Sequence, residues 1–254
     1  MHEHPDVANL MPPGTYLESL SHPTGKSGSM ELAVFKEHRF AFYFWNRWNN
    51  ALGPDLPPAT LLTIDWHRDL APPSSNEQKA LERIDLEQED SVSTFIWSTL
   101  NTHNDSHLLS AAYRNIIGDV MLLKNYGDES QSVYRDCEDN PHQILEFKNI
   151  EHLEETVLER EDQHYILDLD LDFFVKAKVY SHQLKEVETY SQKEISEVVD
   201  PYSPLFRKLF QKMAGITIAT EPRYCGGIIK SNRILEQVMQ QLFTDEMEWK
   251  HLAD

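Results

Sequence analysis

Along this chain, short apolar runs alternate with longer stretches in which apolar residues recur every three or four positions. The short runs are four to seven residues long and rich in Val, Ile, Leu or Phe, and they predict strands over 31–35, 60–65, 119–123, 144–147, 165–171 and 216–219. The amphipathic stretches predict helices over 39–50, 90–100, 106–116, 150–159, 192–199, 204–213 and 231–243, several opened by Asp, Asn or Ser caps. Strand and helix taking turns in this way point to an α/β fold with three layers. Parallel neighbours need a crossover of a dozen or more residues, and helices supply it on both faces of the sheet.

Residues 1–30 carry Pro5, Pro12, Pro13, Gly14, Pro23, Gly25 and Gly28, a turn-rich composition that predicts an extended amino-terminal arm. The acidic segment 128–139 reads as a solvated loop. At 254 residues the chain suits one domain with one sizeable core, spanning 1–254.

Charge narrows the partners. With 23 basic and 42 acidic residues the net charge is −19, which repels phosphate backbones and anionic headgroups; nucleic acid and membrane partners are disfavoured. A cationic group such as a guanidinium is attracted instead. Cys137 and Cys225 stand far apart without a CxxC, so neither a disulfide framework nor a thiolate zinc site is expected. No apolar run approaches a membrane span and the first residues lack a signal-peptide pattern, so a cytoplasmic location is expected.

Candidate chemistry sits where strands end, the place at which open parallel sheets bind ligands. In Leu61-Leu62-Thr63-Ile64-Asp65-Trp66-His67-Arg68-Asp69 an apolar strand runs into Asp, His and Asp at alternate positions, and alternate residues share a face. In Tyr165-Ile166-Leu167-Asp168-Leu169-Asp170-Leu171-Asp172 three carboxylates share one face and leucines the other. Either segment alone fits a polar strand end turned to water. Two of them in one α/β pattern imply a cation, because Asp is depleted in strands and neighbouring carboxylates repel. Oxygen-rich ligation with one or two imidazoles suits Mn²⁺ better than structural zinc. Four or five carboxylates exceed what one divalent ion neutralises, so two ions are expected.

These residues resemble the arginase, agmatinase and deacetylase superfamily, whose members carry an Asp-x-His-x-Asp strand end and, about a hundred residues later, an Asp-x-Asp strand end. Asp65, His67 and Asp69 are similar to the first motif. Asp170 and Asp172, or one step earlier Asp168 and Asp170, are similar to the second, with the bulky Phe173-Phe174 continuation favouring Asp170 and Asp172. The family's earlier ligand looks like His38, although the glycine pair that precedes it there is missing here. Thr217-Ile218-Ala219-Thr220-Glu221-Pro222 resembles the strand that places a carboxylate against the substrate guanidinium, making Glu221 the implied substrate anchor and catalytic carboxylate. In Thr102-His103-Asn104-Asp105-Ser106-His107 either His103 or His107 answers to a proton shuttle, His103 being favoured for its loop position.

The nearest branch is that of the peptide arginases, which convert arginine residues of a ribosomally made precursor peptide to ornithine and release urea. The resemblance implies an arginase-like fold, two Mn²⁺ ions, an arginine-containing precursor peptide as partner, and a water acidified by both cations attacking the guanidinium carbon. It rests on four short motifs between about Glu31 and Leu235 and leaves the arm uncovered. The Asn and His loop by which ordinary arginases hold the free amino acid's carboxylate is not found, which favours peptidyl arginine. The alternatives are a related amidohydrolase or deacetylase, a ureohydrolase of a free guanidino compound, and a non-catalytic, metal-stabilised peptide-binding module.

Overall fold

The computed structural model describes residues 11–24, 28–177, 187–244 and 249–252. Its centre is an eight-stranded sheet in the order β1-β2-β10-β7-β3-β4-β6-β5. The strands are β1 (Tyr16–Ser21), β2 (Ser29–Phe35), β3 (Thr60–Asp65), β4 (Val120–Lys124), β5 (Ser130–Arg135), β6 (Pro141–Phe147), β7 (Tyr165–Asp170) and β10 (Met213–Ala219); β8 (Val175–Ala177) and β9 (Val187–Thr189) form a separate antiparallel pair. From β2 to β6 every neighbouring pair is parallel, and only the edge strands β1 and β5 run antiparallel to their neighbours. The mainly parallel α/β sheet expected from the alternation is therefore present, flanked by helices on both faces.

Helices α1 (Ala41–Leu52), α3 (Glu89–Ser98) and α4 (His107–Tyr113) pack in one apolar layer; α5 (Ile150–Glu159), α6 (Gln192–Val198), α7 (Pro204–Gln211) and α8 (Ile228–Leu242) pack in the other. The layers divide as the pleat dictates. Leu62, Ile64, Leu167, Leu169, Ile216 and Ile218 join the second core, while Leu61, Ile166 and Ala219 join the first. Between these last positions, on the α1 face, lie Thr63, Asp65, Asp168, Asp170 and Thr217. Helix α1, Ala-Phe-Tyr-Phe-Trp-Asn-Arg-Trp, is apolar on most sides because the sheet, α3 and α4 all press on it.

All six predicted strands exist, three of them starting earlier than expected. Three expectations need correction. The arm over 1–30 is not simply extended coil: Tyr16–Ser21 pairs along its length with β2, and Leu20 and Met30 are buried, so turn residues on either side of a short strand concealed it. Pro5 and Gly25 lie outside the described residues. The acidic segment 128–139 contains β5, a largely exposed and mostly polar edge strand paired only with β6. The helix expected over 204–213 stops at Gln211, and Met213 already begins β10. A further helix, α2 (Ser75–Leu81), was not expected; Ser74 and Glu77 close a capping box at its start.

Gly215 on β10 leaves room for α1, because a Cβ there meets the Trp48 ring at 2.5 Å. Gly215→Ala is expected to lower stability by about 1–3 kcal/mol, read as a fall in the thermal midpoint, with Trp48 forced from its bond to Glu31.

Candidate metal centre

Parallel register brings the acidic strand ends together. Thr63 and Thr217 stand opposite Asp168 on its two neighbouring strands, and both hydroxyls donate to it, at 2.7 Å and 2.6 Å. His38 follows β2 in a one-turn 3-10 helix (His38–Phe40) and turns its Nε2 to Asp168 at 2.7 Å. Asp168 thus has both oxygens engaged within the sheet and holds the His38 ring. The other ring nitrogen, Nδ1, then faces Asp69 at 3.1 Å, Asp170 at 3.2 Å and Asp65 at 3.4 Å.

Asp65 ends β3 with no accessible surface. Its Oδ1 accepts the His67 backbone N–H at 2.6 Å, folding the chain back so that His67 Nδ1 reaches Asp172 at 2.9 Å. This turn solves the problem of an extended strand carrying its alternate residues apart. Asp69 completes it with φ of 46°, a left-handed conformation, and Arg68 is clamped by two bonds to Glu146 of β6, at 2.6 Å and 2.5 Å. Asp170 and Asp172 make a similar turn, the Asp172 N–H donating to Asp170 Oδ1 at 3.1 Å.

The result is two overlapping groups, His38 with Asp65 and Asp170, and His67 with Asp65 and Asp172, whose ligand atoms lie within 4.8 Å of one another. Two carboxylate charges at 4.8 Å repel by about 3.5 kcal/mol at an effective dielectric near 20. Protons or a cation must offset this. Without a cation, burial followed by neighbouring carboxylates pushes Asp65 and Asp170 well above the usual range, and burial likewise raises Asp69. For His67 burial works the other way, but Asp172 outweighs it and lifts the imidazole to about 9. Asp65 Oδ2 is buried without a hydrogen-bond partner. Carboxylates, imidazoles and no thiolate make a donor set that fits a divalent ion, so these buried groups can hold a metal ion.

A cavity of about 200 Å³ adjoins the cluster, lined by His67, Asp69, Asp170, Asp172 and Glu221 together with His103, Asn104, Asp105 and Tyr224. Glu221 follows β10 with φ of 35°, and its Oε1 accepts the His38 backbone N–H at 2.8 Å and the Asn104 side chain. Burial raises its carboxyl above the ordinary value. Asn104 is itself left-handed, φ 59°. Among the described residues, three of the five non-glycine residues with positive φ, namely Asp69, Asn104 and Glu221, therefore line one cavity, as strained backbone does at functional sites.

Of the residues singled out from the sequence, His38, Asp65, His67, Asp69, Asp170, Asp172 and Glu221 are brought together. Asp168 lies behind His38, so Asp170 and Asp172 are the pair that lines the cavity. His103 is exposed beside the cavity, while His107 is buried, and burial followed by the charge of His38 pushes its pKa well down. Sequence reasoning missed Thr63, Thr217 and Asn104; a Thr in register with Asp on each neighbouring strand is the signal for the first two.

The brace under the Arg68 turn is testable. Burial alone would raise Glu146, but bonds from Arg68, Lys124 and Ser130 hold it below the usual carboxylate value. Its folded pKa is depressed, so its contribution is present above the unfolded value and lost as pH falls through the folded one. Glu146→Gln, which leaves the buried Lys124 unpaired, is expected to cost about 3 kcal/mol near pH 7. The difference from wild type in thermal midpoint should shrink below pH 4, roughly where carboxylates protonate.

No protein-family profile matches this chain, and no curated protein matches it with significance.

Proposed function

We propose that this chain is a metal-dependent ureohydrolase that uses two Mn²⁺ ions to convert arginine residues of a precursor peptide to ornithine, with release of urea. The observation that carries the proposal is the arrangement of two donor groups sharing Asp65 beside the same cavity as Glu221. Within such a site, divalent ions supply a water whose pKa is lowered toward neutrality. The guanidinium is resonance-stabilised and needs a nucleophile of that strength. Oxygen from water joins Cζ, the Cζ–Nε bond breaks, and Nε takes up a proton; ornithine and urea account for every atom.

The chain's own residues bind and orient. His38, Asp65 and Asp170 would hold one ion, with Asp69 beside His38, and Asp65, His67 and Asp172 would hold the other. Glu221, fixed by the His38 N–H and by Asn104, presents a carboxylate to the guanidinium. His103, exposed at the edge of the cavity, exchanges protons with solvent. The cavity is smaller than the about 300–1,000 Å³ typical of pockets for drug-sized ligands and is on the scale of one side chain. Among the described residues no Lys or Arg lines it, so none of these supplies a cation to the carboxylate of free arginine, a charge that a peptidyl arginine does not bring.

Protein loaded with Mn²⁺ is expected to release urea from an arginine-containing peptide and far less from free arginine. Glu221→Gln should reduce that rate by about 100-fold with metal content unchanged. Urea from neither substrate overturns the proposal; deacetylation of an acetyl-lysine peptide by the same preparation would support the amidohydrolase reading, and bound metal with no turnover the binding module.

A further inference from the structure

Besides the two groups that share Asp65, a third set, His38, Asp69 and His107, brings its ligand atoms within 4.8 Å of one another. His107 opens α4 and has no accessible surface. Its ring packs on Trp45, centroids 5.5 Å apart, and on His38, 4.3 Å apart. Trp45 is fixed in turn by its indole N–H, which donates to Thr217 at 3.2 Å. The His107 ring is therefore held mainly by packing.

Both of its nitrogens are buried without a hydrogen bond of good geometry, although the Asn104 backbone beside the ring interacts with it. Interiors rarely leave an imidazole so, and the residue that would be cheapest there is an apolar ring. Nδ1 lies 3.9 Å from Asp69 Oδ2, too far for a hydrogen bond, while His38 Nδ1 lies 3.1 Å from the same oxygen. Donors about 2.1 Å from one ion stand about 3.0 Å apart at right angles and about 4.2 Å apart when opposite. Both separations fall in that span.

We propose that His107 is a third imidazole of the centre and gives a ring nitrogen to the cation held by His38 and Asp69. The inference rests on the metal centre proposed above and adds to it. The two ends of the centre then differ: one carries two imidazoles, the other only His67. Imidazole suits Zn²⁺ and Co²⁺ better than Mn²⁺ relative to carboxylate, so the His38 end favours the softer ion more strongly.

Nitrogen NMR of full-length, ¹⁵N-histidine-labelled protein titrated with Zn²⁺ tests this directly. The ring resonances of His38, His67 and His107 should all move to metal-bound positions, His107 being assigned through its contact with Trp45. His107→Phe keeps the ring and its packing but removes the donor. It should weaken Zn²⁺ at one of two sites by at least about tenfold in calorimetric titration, leave the other unchanged, and narrow the Zn²⁺-over-Mn²⁺ preference of the weakened site. Movement of His38 and His67 with His107 unmoved would overturn the assignment of His107 alone. No Zn²⁺ bound and no resonance moved would overturn the metal centre itself. The wild-type spectrum decides even where the variant does not fold.

Discussion

Asp65→Asn is expected to leave a folded protein that lacks both the proposed metal binding and the proposed urea release. Asp65 belongs to both overlapping donor groups, one oxygen facing His38 and the other the His67 turn. The amide has the same shape and keeps an oxygen for the His67 N–H, so the turn survives. What disappears is the negative charge common to both positions. Loss of a residue that merely orients a ligand weakens metal binding by about 10–100-fold; loss of a shared ligand should exceed that, and urea release should fall by at least about 1,000-fold. The same variant makes a second, opposite prediction. Free of metal, it has one fewer buried carboxylate in the cluster and should melt above the metal-free wild type, while added Mn²⁺ should no longer stabilise it. Thermal denaturation with and without Mn²⁺, beside metal analysis, separates these effects; an Asp65→Asn protein that retains two ions and normal turnover would refute the assigned centre.

Chelation should have the next largest effect, and its pH dependence has a defined sign. In the metal-free protein, protons take the place of cations: Asp65 and Asp170 sit well above their usual pKa, and His67 is lifted to about 9. A carboxyl with a raised folded pKa destabilises the fold as pH rises above its unfolded value, because the unfolded state gives up the proton first. His67, also raised, contributes stability below its unfolded value near 6.5 that is lost as pH rises toward about 9. The His67 trend weakens the metal-free protein as pH rises from about 6.5 to about 9, and the raised carboxyls act in the same direction from their unfolded values upward. A cation displaces the same protons, so its affinity rises over that window. At free metal about 1,000 times Kd the loaded protein gains about 4 kcal/mol, a rise of roughly 8–16 °C in thermal midpoint for a chain of this size. The gap between loaded and chelated samples should widen from pH 6 to pH 9, with proton release accompanying binding. A gap independent of pH would mean that the ions bind elsewhere.

The architecture was legible because its strands are buried on both faces and therefore read as continuous apolar runs, as in Leu61-Leu62-Thr63-Ile64 and Tyr165-Ile166-Leu167. Edge strands carry no such signature: β5, Ser-Gln-Ser-Val-Tyr-Arg, is exposed and could not be told from loop. The ligands on strand ends were legible for a related reason. An Asp in a buried apolar run contradicts its surroundings, and that contradiction marks a site. Register between strands is not written in any one segment, so neither the role of Asp168 behind His38 nor the meeting of Thr63 and Thr217 on it was visible beforehand. Asn104 escaped notice because its bond to Glu221 joins residues 117 apart in sequence. His107 reads from the sequence only as the less favoured candidate for a proton shuttle, because its burial against Trp45 depends on how α4 meets α1, a matter of tertiary packing.

One consequence concerns assembly. The candidate strand-end donors follow β2, β3 and β7, and Glu221 follows β10; they meet only in the present pairing, Thr63 beside Asp168 and Asp168 beside Thr217. Sliding any of these strands by a single residue turns its acidic side chains to the opposite helical layer. A half-built sheet thus offers no high-affinity place for an ion, and metal uptake during refolding becomes a clock for the last strand to dock.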